Sequence, residues 1–260
     1  MTEQTACGPR PLPVDRVAIA AQRARALPRG PMSPADRLRA ASPIFRQAPT
    51  RLSVVADKMW PTDGVRLTVG FLDTPDAALR QRILGHMNAW GTAADVEFTE
   101  SNVDPQVRIS RDPAHPFGLY WSFVGTDILG IADDQPTMNL GDITMATRDS
   151  EFFRVVRHEA GHTLGFPHEH MRRDLVAQID PAKAKAFYLR TNGWTPAKVE
   201  AQVLTPIEDN SVRGTLHADP NSIMCYHISA EITRNGQAIT GGTDINALDH
   251  EFAAICYPRG

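Results

Sequence analysis

Three histidines near the middle of the 260-residue sequence have the spacing of metal ligands. His158 and His162 are four positions apart, so on a helix both side chains project from one face and can reach one ion at ~2.0–2.1 Å. Gly165 follows, and a glycine can adopt the left-handed backbone that ends a helix and reverses the chain. The reversal would bring back His168 as a third ligand. Three histidines leave one position open for water, which is typical of catalytic zinc, so we expect one Zn²⁺ per chain.

Glu159 is the candidate general base. It lies next to the first histidine but points about 100° further round the helix, so its carboxylate can miss the ion and still touch a water that the ion activates. Independent placement would produce the whole pattern His-Glu-x-x-His-x-x-Gly-x-x-His only roughly 3 × 10⁻⁵ times in a chain of this composition. A helix with incidental histidines is therefore a poor explanation, and the pattern predicts hydrolysis by a metal-activated water.

The extended pattern resembles that of the metzincin zinc peptidases, and the residues that follow it resemble the longer signature of the astacin family. A second segment agrees, because residues 222–226 (Ser-Ile-Met-Cys-Tyr) resemble the Met-turn of that family. The resemblance implies that Met224 forms a hydrophobic base beneath the metal. It also implies that Tyr226 is a further zinc ligand that can swing away and stabilise the oxyanion.

The resemblance implies a substrate-binding strand as well. Tyr120, Trp121, Ser122 and Phe123 are similar to the edge strand that binds the substrate backbone in this family. Such a strand would pair with an extended peptide by β-augmentation. An ordinary aromatic strand is the alternative at this position.

Hydrophobic spacing predicts the elements that must position these residues. Apolar residues alternate from Val65 to Phe71, as in a strand, and they recur at helical spacing from Leu79 to Trp90. Short strands are predicted at 96–99, 107–110, 120–124 and 137–140, and a closing helix from 243 or 244. With the resemblance, this order predicts an α+β, metzincin-like two-lobed fold. A twisted mixed five-stranded sheet with two helices would lie above the cleft, and an irregular lobe with a C-terminal helix below it.

We expect residues 51–260 to form a single catalytic domain, with an upper lobe of about residues 51–165 and a lower lobe of about residues 166–260. The first 50 residues are rich in arginine and proline, which predicts either a solvated N-terminal arm or a pro-segment over the active site. Cys7-Gly8 in this arm faintly resembles the thiol latch of the matrixins. A cysteine thiolate is a good zinc ligand, but two residues are a weak motif.

The amino-acid composition limits the classes of partner that the protein can bind. A net charge of -3 and a pI near 6.3 argue against a nucleic-acid-binding protein, and no apolar run is long enough to span a bilayer. The first residues lack the basic start and apolar stretch that are typical of a secretory signal peptide. A leaderless route of secretion and a cytoplasmic location are therefore both considered. We expect a monomer that acts on polypeptide substrates.

The sequence therefore predicts a zinc-dependent endopeptidase. Two alternatives keep the same metal ligands: a zinc-containing peptide-binding module without turnover, and a zinc hydrolase of non-peptide amides. Peptide hydrolysis that is blocked by a chelator and restored by zinc distinguishes the first alternative, and substrate profiling distinguishes the second.

Overall fold

The computed structural model of the chain describes residues 7, 10–33, 36–37, 40, 53–61, 64–207, 212–214 and 218–260. Much of the predicted arm, including residues 41–50, lies outside this part of the chain. The fold combines a mixed sheet with helices, so the predicted α+β class is confirmed. None of the helices in the described ranges is long and apolar enough to cross a membrane.

The described residues contain seven strands in two sheets. The strands are β1 (Ser53–Val55), β2 (Val65–Phe71), β3 (Val96–Glu100), β4 (Val107–Ser110), β5 (Tyr120–Ser122), β6 (Met138–Leu140) and β7 (Val212–Gly214). A small antiparallel sheet pairs β1 with β7. The main sheet has the order β3-β2-β4-β6-β5. Its strands are parallel except β5, which pairs antiparallel with β6. The sheet is therefore mixed and five-stranded, as predicted, and β5 forms one of its edges.

The longer helices are α1 (Val14–Ala26), α2 (Ala77–Met87), α3, α4 (Pro181–Asn192) and α5 (Ala247–Cys256). Helix α3 is composite: a short α-helix (Asp149–Glu151) continues through a π-helical segment (Phe152–Arg157) into a second α-helix (His158–Thr163). Shorter helical segments are Ala56–Lys58, Asn88–Thr92, Gly125–Gly130, Glu169–Met171, Arg173–Val176, Pro196–Val199, Glu200–Leu204 and Ala230–Ile232.

Local capping explains where several of these helices begin. The Asp76 carboxylate accepts a hydrogen bond from the Leu79 N–H at the start of α2. The predicted start of the closing helix at 243 or 244 is wrong, because Asn246 forms a capping box with Asp249 and α5 begins only after it. The predicted strand 120–124 is also too long, since β5 ends at 122 and the chain turns into a 3₁₀ segment at Gly125.

The buried apolar residues form two clusters. The larger one joins the main sheet to α2, α3 and α5, and Trp90 at its centre is fully buried. The smaller one lies between residues 175 and 239 and includes Tyr188 of α4. Residues 223 and 224 belong to the larger cluster although residues 225 and 228 beside them belong to the smaller one. The segment that holds Met224 therefore lies where the two clusters meet.

Candidate metal centre

Helix α3 and the turn after it carry the three histidines. His158 and His162 occupy consecutive turns of its last α-helical part. Gly165 has a φ of +99°, in the left-handed region where a side chain would be strained, and its N–H bonds to the carbonyl of His162 at 2.8 Å. The Phe166 N–H closes the reversal on the carbonyl of Gly161 at 3.0 Å. The chain consequently turns back and places His168 beside the helix.

The structure brings the three imidazoles together through their Nε2 atoms. His168 Nε2 lies 3.1 Å from Nε2 of His158 and 3.1 Å from Nε2 of His162. His158 Nδ1 bonds to the carbonyl of Ile223 and His162 Nδ1 to that of Phe166, both at 2.7 Å. Because a carbonyl only accepts, each Nδ1 carries the proton and each Nε2 presents a lone pair. Nitrogens bound at ~2.0–2.1 Å to one tetrahedral ion would stand ~3.3 Å apart, so this donor set fits a zinc ion.

The protein environment keeps these rings neutral, as metal ligands must be. All three histidines are buried. Burial lowers the pKa of His158 and of His168 well below the ordinary value, and it lowers the pKa of His162 to about 4. Since a protonated imidazole cannot bind a metal, the site is prepared for a cation near neutral pH.

A fourth donor in the cluster comes from the N-terminal arm. The Cys7 sulfur and the ligand atoms of the three histidines all lie within 4.8 Å of one another, and all four residues are buried. The chain's three cysteines, at positions 7, 225 and 256, are free thiols. The Cys-Gly motif was only a weak signal in the sequence, and the structure places its thiol against the imidazoles.

Glu159 is fully buried beside this cluster. Neither of its carboxylate oxygens is hydrogen-bonded to an oxygen or nitrogen of the described residues. Burial raises the pKa of Glu159 to about 8. A cavity of about 20 Å³, enough for one water molecule, is lined by Glu159 together with Cys7, Tyr120, His158 and Tyr226. Apart from the Cys7 thiol beside it, which acts to lower its pKa, the carboxylate has no hydrogen-bond partner among the described residues, and this favours a chemical role.

The segment with Met224 lies directly under α3. A Cβ atom added at Gly161 would stand 2.5 Å from the Met224 sulfur, so the methionine packs against the helix between the two histidine turns. The Asp249 carboxylate holds this segment by accepting hydrogen bonds from the Ser222 hydroxyl at 2.6 Å and the Ile223 N–H at 3.0 Å. Sequence reasoning missed Asp249, for which the only local signal was its capping position in α5.

Tyr226 packs its ring against two histidines, His168 and His170. Its ring centroid is 4.2 Å from that of His168 and 4.3 Å from that of His170, on which it stacks at 15°. Its buried hydroxyl has no hydrogen-bond partner within the described part of the chain. His170 is fully buried, and its Nε2 bonds to the carbonyl of Gln202 at 3.0 Å. It therefore supports the tyrosine ring.

The predicted substrate-binding residues form and follow the edge strand β5. All four are buried, and the Ser122 hydroxyl lies 3.3 Å from that of Thr163 at the end of α3. The N-terminal arm runs along this edge: the Arg10 N–H donates to the Ser122 carbonyl at 3.1 Å, and Arg10 forms a parallel bridge with Phe123. The edge strand thus lies beside the histidine cluster and already pairs with an extended segment of chain.

Comparisons with known proteins agree with this geometry. The family model of the astacin peptidases matches residues 54–240. The zinc metalloproteinase nas-27 of Caenorhabditis elegans is 36% identical over 104 residues, which is 39% of this chain and 21% of that protein. A structure of myroilysin superposes with a TM-score of 0.73 at 30% identity, covering 80% of this chain and 99% of that one. A second myroilysin structure gives a TM-score of 0.57 at 30% identity over 78% and 86% of the two chains.

Proposed function

From the premise that this chain belongs to the astacin family of peptidases, we propose that it is a zinc-dependent endopeptidase that hydrolyses peptide bonds in proteins. The observation that carries the proposal is the convergence of three Nε2 lone pairs beside the buried carboxylate of Glu159. The chain spans 21% of the length of the nas-27 protein. The proposal therefore rests on the geometry of this chain and on its family.

His158, His162 and His168 would hold one zinc ion per chain, with Tyr226 as a further ligand. The two carbonyls that fix His158 and His162 orient their Nε2 atoms before any ion arrives. Met224 packs beneath the helix turn that carries both rings, and Gly165 makes the reversal that delivers the third. When bound, zinc supplies Lewis acidity, which polarises the scissile carbonyl and lowers the pKa of the attacking water.

Glu159 would move the proton. Its carboxylate accepts a proton from the attacking water and returns it to the leaving amine. Tyr226 donates a hydrogen bond from its otherwise unpartnered hydroxyl to the developing oxyanion, a contribution of about 3 kcal/mol for a single donor. The edge formed by Tyr120, Trp121, Ser122 and Phe123 would align the substrate backbone, as it aligns the arm in this structure.

We also propose the domain organisation that the sequence predicts. Residues 51–260 form the catalytic domain, with the upper lobe at about 51–165 and the lower lobe at about 166–260. Residues 1–50 act as a pro-segment. Cys7 supports the last point, since its sulfur lies among the histidine ligand atoms and a thiolate there would occupy the position that water needs. Hydrolysis then requires that the arm leave the cleft.

The test is hydrolysis of a fluorogenic peptide and of casein by the zinc-loaded chain. We expect a chelator to abolish hydrolysis and added zinc to restore it. Glu159→Ala should retain the metal and lose nearly all turnover, while Glu251→Ala, which removes an exposed glutamate of α5, should behave like the unmodified protein. Since Glu159 makes no structural hydrogen bond to a described nitrogen or oxygen, the inactive variant should remain as stable as its parent.

The two alternative functions give different results in the same assay. A peptide-binding module would bind the peptide and zinc without cleaving it, even after the arm is displaced. A hydrolase of non-peptide amides would leave peptides intact but turn over small acylated amines. Mass spectrometry of the intact protein with and without zinc would measure the metal stoichiometry and show any trimming of the arm.

A further inference from the structure

Arg10 inserts its guanidinium into an aromatic pocket at the far end of β5. The pocket is built mainly by Phe117, Trp121 and Phe123, whose ring centroids lie 2.9, 5.3 and 5.5 Å from the guanidinium carbon. Cations within about 6 Å of an aromatic centroid are attracted by the ring quadrupole. Partial burial lowers the pKa of Arg10 to about 10. The rings therefore hold a cation through their faces.

The pocket belongs to the surface that a substrate would use. Trp121 and Phe123 alternate with Ser122, whose carbonyl accepts the Arg10 N–H, so the same three residues bind both the backbone and the side chain of the arm. A cavity of about 240 Å³ adjoins the rings and is also lined by His115 and other residues. The site is therefore larger than the single side chain that it holds here.

Charges of both signs lie around the cavity, which Arg16 also lines. Asp133 and Asp134 are exposed and lie in the loop between Ala132 and Gln135, two residues that line the cavity. A guanidinium is planar and weakly hydrated, so it stacks on aromatic rings at a smaller cost of desolvation than an ammonium group. A neutral residue of the same shape would lose the attraction to the ring faces.

The spacing along the arm relates the pocket to the metal centre. Cys7 lies among the histidine ligands and Arg10, three residues later in the sequence, lies in the pocket. The arm runs parallel to β5. A substrate would take the antiparallel direction, which is the more stable pairing per residue and the one that β5 already makes with β6. The residue in the pocket then precedes the cleaved bond.

We propose that the pocket formed by Phe117, Trp121 and Phe123 is a specificity subsite for a basic side chain, arginine above all, about three residues to the amino side of the scissile bond. Arg10 is the arm's own occupant of this subsite. The inference rests on the proposed function, because it treats the edge strand as the substrate-binding strand.

Matched peptides test the subsite. Two fluorogenic peptides differ only at that position, one with arginine and the other with citrulline, its neutral isostere. The enzyme is the full-length, zinc-loaded chain carrying Cys7→Ser and Arg10→Ala, so that the arm no longer fills either site. Any remaining competition from the arm affects both peptides equally. We expect kcat/KM to be about tenfold higher for the arginine peptide, a value between those of an exposed and a desolvated cation–π contact.

Removal of one ring should reduce this preference. Phe117 is half exposed, so Phe117→Ala should fold, and we expect it to lower the arginine-to-citrulline ratio at least threefold. Phe187→Ala is the matched control, since Phe187 also lies near a guanidinium, that of Arg190, on α4; it should leave the ratio near ten. Equal rates for the two peptides, or a preference for arginine on the carboxyl side of the bond instead, would overturn the proposal.

A binding measurement separates this proposal from the proposed function. Calorimetry with the Glu159→Ala form of the same full-length variant measures affinity without turnover. If the arginine peptide binds about tenfold more tightly but no form of the protein cleaves it, the subsite stands and the endopeptidase assignment fails. If both peptides are cleaved and bound equally well, the assignment stands and the subsite fails.

Discussion

The substitution Gly161→Ala adds one methyl group, which should disturb the packing of Met224 beneath the metal centre. It lies on α3 between His158 and His162. A Cβ atom there would stand 2.5 Å from the Met224 sulfur and 2.9 Å from Cζ2 of Trp90. Ordinary carbon contacts are about 3.5–4.0 Å. Both neighbours are fully buried, so neither can move aside without displacing other core residues.

The magnitude follows from two opposing effects. Alanine is favoured over glycine inside a helix by about 1 kcal/mol. Overpacking a close-packed core costs about 1–3 kcal/mol, and an overlap of about 1 Å with a rigid tryptophan and a buried methionine belongs at the upper end. We therefore expect Gly161→Ala to lower the free energy of unfolding by about 2 kcal/mol. Ile223, next to Met224, orients His158 through its carbonyl, so zinc affinity should fall about tenfold.

Gly85→Ala is the matched control. Gly85 lies in α2, it is exposed, and a Cβ atom there would meet no other atom within 4 Å. Only the helix preference then applies, and this variant should gain about 1 kcal/mol. Urea unfolding of the metal-free proteins measures the stabilities, and competition with a chromophoric chelator measures zinc affinity. If Gly161→Ala proved as stable as Gly85→Ala and bound zinc normally, the close packing of Met224 under the helix would be refuted.

Three further predictions address the tyrosine, the aspartate beneath the site and the arm. Tyr226→Phe should lower kcat about a hundredfold but zinc affinity far less, because the oxyanion hydrogen bond is lost while three histidines still hold the ion. A loss of metal binding in equilibrium dialysis would contradict the mobile-ligand role. Burial raises the pKa of Asp249 to about 6 in the folded protein, above its ordinary value near 4. The folded state therefore binds the proton more tightly than the unfolded state. As the pH rises from about 4 to about 6, the contribution of this group to the free energy of unfolding falls by ~3 kcal/mol. Urea unfolding should show that Asp249→Asn flattens that part of the pH profile, and an identical slope in both proteins would argue for a normal carboxyl group. Cys7→Ser should raise kcat/KM for peptide hydrolysis by the full-length, zinc-loaded chain at least tenfold, because a neutral hydroxyl is a weaker zinc ligand than a thiolate. An unchanged kcat/KM would show that the thiol does not block the site.

The sequence determined the features that depend on neighbouring residues. The spacing of His158 and His162 places both on one helix face, and Gly165 adopts the left-handed backbone that the reversal requires. The caps of α2 and α4 arise from Asp76 and Asp180, which bond to N–H groups two or three residues away. Hydrophobic spacing also located the strands of the main sheet and led to the correct α+β class. These features could be predicted because their partners lie within one or two turns of the chain.

Only the tertiary structure decided which distant residues complete the site. Cys7 lies about 150 positions before the histidines, and it reaches them because the arm runs along the free edge of the sheet. Asp249 supports the segment beneath the metal centre from a helix about 25 positions further on. Arg10 fills an aromatic pocket that one residue of β5 and two residues outside that strand build together. Such contacts depend on strand order and on how the elements pack, and no local spacing encodes either of them.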